Sequence, residues 1–306
     1  MDDEFVKYVT DGFAIFGIGN FVLLVFCVLA ELFMRWQEGK PVFNRESSTN
    51  FSLLLVPFVI EAFAASAILL GGLGFVYHLT PLHIAVTPWT LPLYFVAGDF
   101  AFYLMHRASH EVRIGWADHS IHHSAETYDF TVNLRLTPLE FLWRLITWAP
   151  LVALGFNPVV LVLFGVSGSA FQLFCHTERI GRLAPWFEWF FVTPSNHAVH
   201  HASNPLYIDK NYGGLTMFWD HVFGTYQRLE DGTPPVFGIT RPVRSANPLV
   251  VVAFEFRHLI RDFAGAPTIG QKLEVLFGQP GKTFELESSH RPVAANRIIE
   301  TAEAVQ

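Results

Sequence analysis

Nine histidines in this chain have the types and spacing of metal ligands. His106 and His110 are spaced H-x3-H. His119, His122 and His123 form H-x2-HH, and His197, His200 and His201 form a second copy. His176 stands between the two. With 14 histidines in 306 residues, about 0.03 copies of H-x2-HH are expected by chance. Residues three and four apart share one face of a helix. Each cluster can therefore aim two or three imidazoles at one point. Neutral imidazole suits iron, zinc and copper. A tetrahedral site takes four ligands, so nine imidazoles point to two metal ions.

Two divalent cations held by imidazoles alone lack charge compensation. Carboxylates are therefore expected close by, orienting the ring nitrogens. Asp99 lies about two helical turns before His106, on the same face. Glu178 is two residues past His176, and Asp220 sits in Phe218-Trp219-Asp220-His221. These three are the candidates for that role, whereas Asp118, beside His119, reads as solvated. Of the other histidines, His78 and His83 read as interface residues and His258 and His290 as exposed. His221 stays open as a further ligand.

The elements that must position these side chains are apolar. The chain is 51% hydrophobic with 31 Phe, and 15% is charged, against about 25% in soluble domains. That composition indicates an all-α integral membrane protein. A net charge of −7 gives no basic footprint for nucleic acid. Candidate spans cover residues 13–34, 51–76 and 82–105, each long enough to cross a bilayer. Glu31 falls near the end of the first. Glu61 falls inside the second, where an intramembrane carboxylate is a functional candidate. The acidic start lacks the positive region of a signal peptide. Cys27 and Cys175 lie in or beside apolar runs, so no disulfide framework is expected, and Cys175 reads as a buried inert thiol.

A fourth apolar stretch, 141–175, is too long for one crossing and is interrupted at Gly155-Phe156-Asn157-Pro158. Histidines precede and follow it. For them to meet, it must turn back, giving a helical hairpin with arms 142–154 and 158–175. Arg35, Lys40 and Arg45, then Arg107 and Arg113, then Arg179 and Arg182 follow successive spans, while 77–87 holds no Lys or Arg. The positive-inside rule puts those basic loops and all nine ligands in the cytosol. The expected architecture is about four transmembrane helices including the hairpin, with a cytosolic histidine-rich di-metal cap. Residues 1–12 form an N-terminal segment, 13–263 the membrane domain with its histidine core at 99–226, and 264–306 a polar tail. Asn211-Tyr212-Gly213-Gly214 reads as a turn. Residues 249–263 suit a helix lying on the membrane surface or one packed on the cytosolic domain.

The arrangement resembles the fatty acid hydroxylase/sterol desaturase superfamily of membrane di-iron oxygenases. Within it, the alkylglycerol monooxygenase-like branch is the most similar. The resemblance covers about residues 99–226. It rests on His106-Arg107-Ala108-Ser109-His110-Glu111, Trp116-Ala117-Asp118-His119-Ser120-Ile121-His122-His123-Ser124, His176-Thr177-Glu178 and Thr193-Pro194-Ser195-Asn196-His197. Ile208-Asp209-Lys210-Asn211-Tyr212-Gly213, Trp219-Asp220 and Phe223-Gly224-Thr225-Tyr226 complete it. The chain departs from the branch at Tyr128-Asp129-Phe130-Thr131-Val132-Asn133-Leu134-Arg135, at Asn196, where a further His is common, and at His221. The resemblance implies two irons, O2 as oxidant, a lipid substrate, an electron donor and, in the animal branch, tetrahydrobiopterin.

Zinc does not cycle between redox states, and oxidising an alkyl chain with O2 needs a metal that does. Two readings follow. The first is a membrane oxygenase that hydroxylates or desaturates a C–H bond of an ether lipid, sterol or fatty acyl chain. The second is a membrane carrier or binding protein for zinc or copper. A carrier places ionisable ligands near the bilayer midplane. Here they lie at span ends on one side, which favours the enzyme.

Overall fold

The computed structural model describes residues 3–60 and 66–280, and there the chain is all-helical apart from two isolated bridge pairs. Helix α1 runs Asp3–Gln37, α2 Arg45–Ile60, α3 Ser66–Leu79 and α4 Leu91–Glu111. Helix α5 runs Arg113–His123, followed by a 3-10 turn at Phe130–Leu134. Then come α6 Glu140–Ala153, α7 Pro158–Leu173, α8 Pro185–Phe190, α9 Pro194–His200, α10 Phe218–Phe223, α11 Pro248–Gly265 and α12 Ile269–Phe277.

The hairpin forms as the sequence implies. Asn157 caps α7 by accepting from the Val159 amide at 3.0 Å, and Pro158 opens the helix, where its missing N–H costs nothing. Gly155 turns the chain with φ 99°, and a Cβ there would lie 2.8 Å from the Leu82 carbonyl oxygen. Only glycine fits both conditions. The 80–90 loop closes over this turn. Ile84 N–H donates to the Gly155 carbonyl at 2.8 Å, and Thr80 Oγ1 donates to Ala153 at 2.7 Å. Tyr94 Oη bridges the Ile84 carbonyl and the Asn157 amide, 2.9 Å each.

Beneath that cap lies the main apolar core, where Leu73 of α3, Tyr94 of α4, Trp148 and Val152 of α6, and Val160 and Leu161 of α7 are buried together. Gly72 lets α6 approach, since a Cβ would meet Leu145 Cδ1 at 2.9 Å. The hairpin turn and the 80–90 loop thus mark one end of the bundle. The nine clustered histidines gather at the other.

Helix α1 covers the first expected span and exposes Ile18, Phe21, Val22, Phe26, Leu29 and Phe33. Among the described residues one helical stretch, Ile18–Gln37, is long and apolar enough to cross a membrane, with mean hydropathy 1.9, and Ala67–Leu79 is a shorter apolar helix. The second expected span is α2 plus α3, and Glu61 lies outside the described residues. The third is shorter than expected. Helix α4 starts at Leu91 because Thr90 Oγ1 donates to the Ala85 carbonyl at 2.6 Å and Thr87 accepts from Thr90, so 85–90 forms a hydrogen-bonded turn.

Helix α11 covers the 249–263 segment. It packs on α5, α2 and α12 and buries Val251, Glu255 and Leu259. Helix α12, within the segment expected as polar tail, packs on α5 and α11 through buried Val275. Residues 281–306 lie outside the described residues.

Candidate metal centre

Helices α4 and α5 form a tight corner. Val112 is extended and breaks the helix, and Gly115 lets the two backbones meet. A Cβ there would lie 2.8 Å from the Ala108 carbonyl oxygen. The corner folds His106 and His110 back onto His119 and His123. Thr193 caps α9 from the Asn196 amide and brings the last triplet against them. His176 arrives from the end of α7.

The nine imidazoles separate into two groups. His106, His110, His119, His123 and His200 form one, and His122, His176, His197 and His201 the other. In each, every residue offers a ligand atom within 4.8 Å of all the rest. Neither triplet serves one point, as the spacing alone suggested. His119 and His123 join the first group while His122 goes to the second. His197 and His201 join the second while His200 crosses to the first. The i,i+4 pair stays together, and the odd histidine, roughly 60° around the helix from one member of the pair and roughly 100° from the other, joins the other group. The two triplets interlock.

Ring orientation is set by backbone carbonyls. His106 Nδ1 donates to Tyr212 at 3.0 Å, His122 Nδ1 to Arg135 at 3.2 Å, His176 Nδ1 to Gln172 at 2.9 Å and His200 Nδ1 to Lys210 at 2.9 Å. A carbonyl only accepts, so each of these Nδ1 atoms carries the hydrogen. The Nε2 atoms then face inward as lone pairs. His106 and His119 Nε2 are 3.1 Å apart, His123 and His119 3.2 Å, His197 and His176 3.0 Å, and His201 and His197 3.2 Å. With imidazole–metal bonds of about 2.1 Å, ligands at right angles are about 3.0 Å apart and tetrahedral ones about 3.4 Å. The donor set fits metal.

His122 and His176 make the case sharpest. Their Nε2 atoms are 3.0 Å apart, both Nδ1 atoms are committed as donors, and both rings are neutral. Burial pushes His122 down to about 4 and His176 well below the usual imidazole value. Two lone pairs held that close repel unless a cation lies between them. Burial lowers the other seven as well, His106 to about 4. All nine are therefore ready as neutral ligands at pH 7.

The carboxylates do not sit where the sequence reading placed them. Asp99 accepts from Thr216 Oγ1 at 2.6 Å and from the Leu215 amide at 3.2 Å, not from any of the nine imidazoles. Asp220, fully buried, accepts from the Tyr212 and Gly213 amides at 2.8 Å each and from Thr225 Oγ1 at 2.6 Å. Both act through the 212–216 loop, whose Tyr212 carbonyl orients His106. Glu178 is exposed and hydrogen-bonds to none of the nine. Asp118 is buried, not solvated, and accepts from the Leu139 amide at 3.2 Å. Burial pushes it up to about 7.

Among the remaining candidates, His221 Nε2 is 2.9 Å from the Trp189 carbonyl and its ring lies between Trp189 and Tyr226. It is no ligand. His83 stacks on Tyr77 at 4.6 Å, His78 is exposed, and His258 packs on Phe254 at 5.1 Å. Cys27 and Cys175 are free and buried. Asn196 donates to the Glu188 carbonyl at 2.7 Å. Sequence reasoning missed Arg135, whose guanidinium binds Ser124 at 2.6 Å, Glu46 at 2.5 Å and Asn50 while its carbonyl holds His122. It also missed Asp209, 3.8 Å from His110 Nδ1. Arg135 follows the second histidine group and Asp209 the last one, and a charged residue after a histidine group was the signal available for each.

A cavity of about 460 Å³ reaches the site between α1, α3, α4, α6 and α7. Phe21, Leu24, Leu69 and Val162 line it, together with the Glu140–Arg144 ion pair (2.5 Å) and five of the nine imidazoles.

Residues 91–225 match the family model "Fatty acid hydroxylase". Alkylglycerol monooxygenase of Xenopus tropicalis is 36% identical over 64% of this chain and 43% of its own length. The Homo sapiens protein of that name is 37% identical over the same shares. The ornithine lipid hydroxylase OlsE of Rhizobium tropici is 28% identical over 48% of the chain and 45% of its own length. The chain spans less than half the length of these curated relatives, and no solved structure matches it. The family match begins at the first residue of α4 and takes in all nine histidines, so residues 91–225 form a domain of the fatty acid hydroxylase/sterol desaturase superfamily, similar to that of the alkylglycerol monooxygenases.

Proposed function

We propose that the protein is a membrane-bound di-iron oxygenase that hydroxylates a C–H bond of a lipid with O2. The nine histidines are its ligands, five to one iron and four to the other. The observation that carries this is the pair of imidazole groups opening on an apolar-walled cavity. The relatives' names, which specify monooxygenase and hydroxylase on alkylglycerols and ornithine lipids, support hydroxylation over desaturation and an ether lipid as substrate.

Bound iron supplies the reduction of O2 and the oxidation of the C–H bond. The chain's own residues do the rest. The carbonyls of Tyr212, Arg135, Gln172 and Lys210 keep Nε2 free on four rings. Phe21, Leu24, Leu69 and Val162 receive an alkyl chain, and Glu140 with Arg144 offers hydrogen bonds to a polar head. The electron donor is external, and tetrahydrobiopterin is the candidate.

The membrane reading has about four transmembrane helices, drawn from α1, α2–α3, α4 and the α6–α7 hairpin. The histidine cap lies on the cytosolic face, with the N-terminus and the 80–90 loop outside. The glycerol ether then reaches the cavity without leaving the bilayer.

The test is purification with iron and reaction with lipid under 18O2. About two irons per chain and one labelled oxygen in the product are expected. Equal turnover with zinc in place of iron would remove the oxygenase reading.

A further inference from the structure

Among the described residues, three oxidisable rings lie against the nine histidines. Trp116 is 5.2 Å from His110 and 5.7 Å from His123, ring to ring. Tyr128 is 5.1 Å from His201 and 5.7 Å from His176. Tyr212 is 5.3 Å from His110 and 6.0 Å from both His106 and His200. They differ in what lies behind them. No further tyrosine or tryptophan ring among the described residues touches Trp116 or Tyr128. Tyr128 also donates to the Cys175 carbonyl at 2.9 Å, an oxygen that accepts a hydrogen bond but is no base at neutral pH. Tyr212 instead backs onto Tyr103 of α4, ring to ring at 6.1 Å, and both are fully buried.

Tyr103 starts a directed chain of hydrogen bonds. Arg107 Nη1 donates to its Oη at 3.2 Å, and a guanidinium only donates. The phenol's own hydrogen is left for Thr225 Oγ1, 3.0 Å away. Thr225 in turn donates to Asp220 Oδ1 at 2.6 Å. A hydroxyl has one hydrogen and an ionised carboxylate only accepts, so both donors from Tyr103 to Asp220 point the same way. Asp220 is fully buried, and burial pushes it up to about 6, within reach of a proton at neutral pH. An oxidised phenol must shed its proton, and this chain carries the proton away from the histidines.

Hydroxylation draws from the C–H bond two of the four electrons that O2 requires. With no lipid bound, those two are missing. Tyr103 can supply one: Tyr–OH + Asp–COO− → Tyr–O• + Asp–COOH + e−. The external donor supplies the other and the two ferrous ions the rest, which closes O2 + 4 e− + 4 H+ → 2 H2O. Resting on the oxygenase reading above, we propose that Tyr212 and Tyr103 form an internal electron route that discharges the oxidising centre when no lipid is bound. Tyr103 is the radical site, and Asp220, reached through Thr225, takes the proton. Phe223 stacks on Tyr103 at 5.4 Å and is 45% exposed. A soluble one-electron reductant at that surface then restores the phenol, and Asp220 returns the proton.

The experiment mixes the iron-loaded full chain, reduced and anaerobic in detergent, with O2 but no lipid. The rapidly frozen sample is read by electron paramagnetic resonance. A neutral tyrosyl radical is expected, with a signal that narrows when the chain carries ring-deuterated tyrosine and is suppressed when alkylglycerol is bound beforehand. Tyr103→Phe should remove it. Thr225→Val breaks the proton route but keeps both rings, and should lower the yield about tenfold or more. Iron content, measured in every variant, should hold, because neither side chain hydrogen-bonds to any of the nine imidazoles. Trp116→Phe and Tyr128→Phe should keep the signal. Thr225→Val alone decides if Tyr103→Phe loses its iron. A radical that survives Tyr103→Phe, a yield unchanged in Thr225→Val, or a signal lost with Trp116→Phe or Tyr128→Phe overturns the proposal. So does a chain that hydroxylates lipid yet gives no tyrosyl radical, and that outcome leaves the oxygenase reading standing. A chain that holds no iron at all removes that reading, and the proposal with it.

Discussion

Arg179 grips Glu31 along both edges of its carboxylate, Nε to Oε2 and Nη2 to Oε1, at 2.9 Å each. The first helix is thereby tied to the segment that follows the hairpin, 148 positions later in the chain. Glu31 is 2% exposed, and Arg35, which pairs with Asp129, joins it at 3.4 Å. The C-terminal end of α1 is therefore pinned beside the histidine cap.

Glu31→Ala should cost about 2 kcal/mol, below the ~3–5 of a fully buried pair because Arg179 remains partly exposed. Glu31→Gln should cost less, since it keeps one acceptor. Thermal melts in detergent report this. An unchanged midpoint for both variants would show the link to be idle.

The interlocked triplets predict selective metal loss. His122→Ala and His176→Ala should each bring iron content from about two per chain to about one, because the five-histidine group is left whole. His221→Ala should keep both irons. Loss of both from His122→Ala would mean that the two groups form a single site. Elemental analysis of purified variants decides.

Asp220 tests the indirect support. Asp220→Ala frees the Tyr212 and Gly213 amides and so loosens the carbonyl that holds His106. Iron affinity at the five-histidine site should fall about tenfold, at the low end for a lost supporting hydrogen bond. The four-histidine site should be unaffected, and equal loss at both would point to general unfolding.

Proton competition should be weak. Burial lowers the imidazole values, so the rings stay neutral further into acid than exposed histidines, whose ordinary value is about 6.5. His106 and His122 charge only near about 4. Iron should therefore be retained from pH 7 down to about 5 and released only near or below about 4. Half-loss by pH 6.5 on dialysis against buffer would contradict the neutral, buried centre.

Topology is accessible through His83, which is exposed beside the hairpin turn. Cysteine placed there should react with an impermeant reagent from the side opposite to cysteine placed at exposed Glu38. Both native cysteines are buried. Labelling of the two from the same side would exclude the proposed crossing pattern.

The sequence by itself marked the nine histidines that cluster and the hairpin that brings them together. Period and spacing put histidines on shared helix faces, and Gly155-Phe156-Asn157-Pro158 admits little but a turn, so both are local properties of the chain. Tertiary structure alone decided which of the two groups each ring joins. Neighbours such as His122 and His123 diverge by about 100° around a helix. Only the packing of α5 against α4 and α9 says where each direction ends. The same holds for the supports. A carboxylate is legible in sequence, whereas a backbone carbonyl belongs to every residue, so nothing in the letters marked Tyr212, Gln172 or Lys210 as the groups that orient the rings.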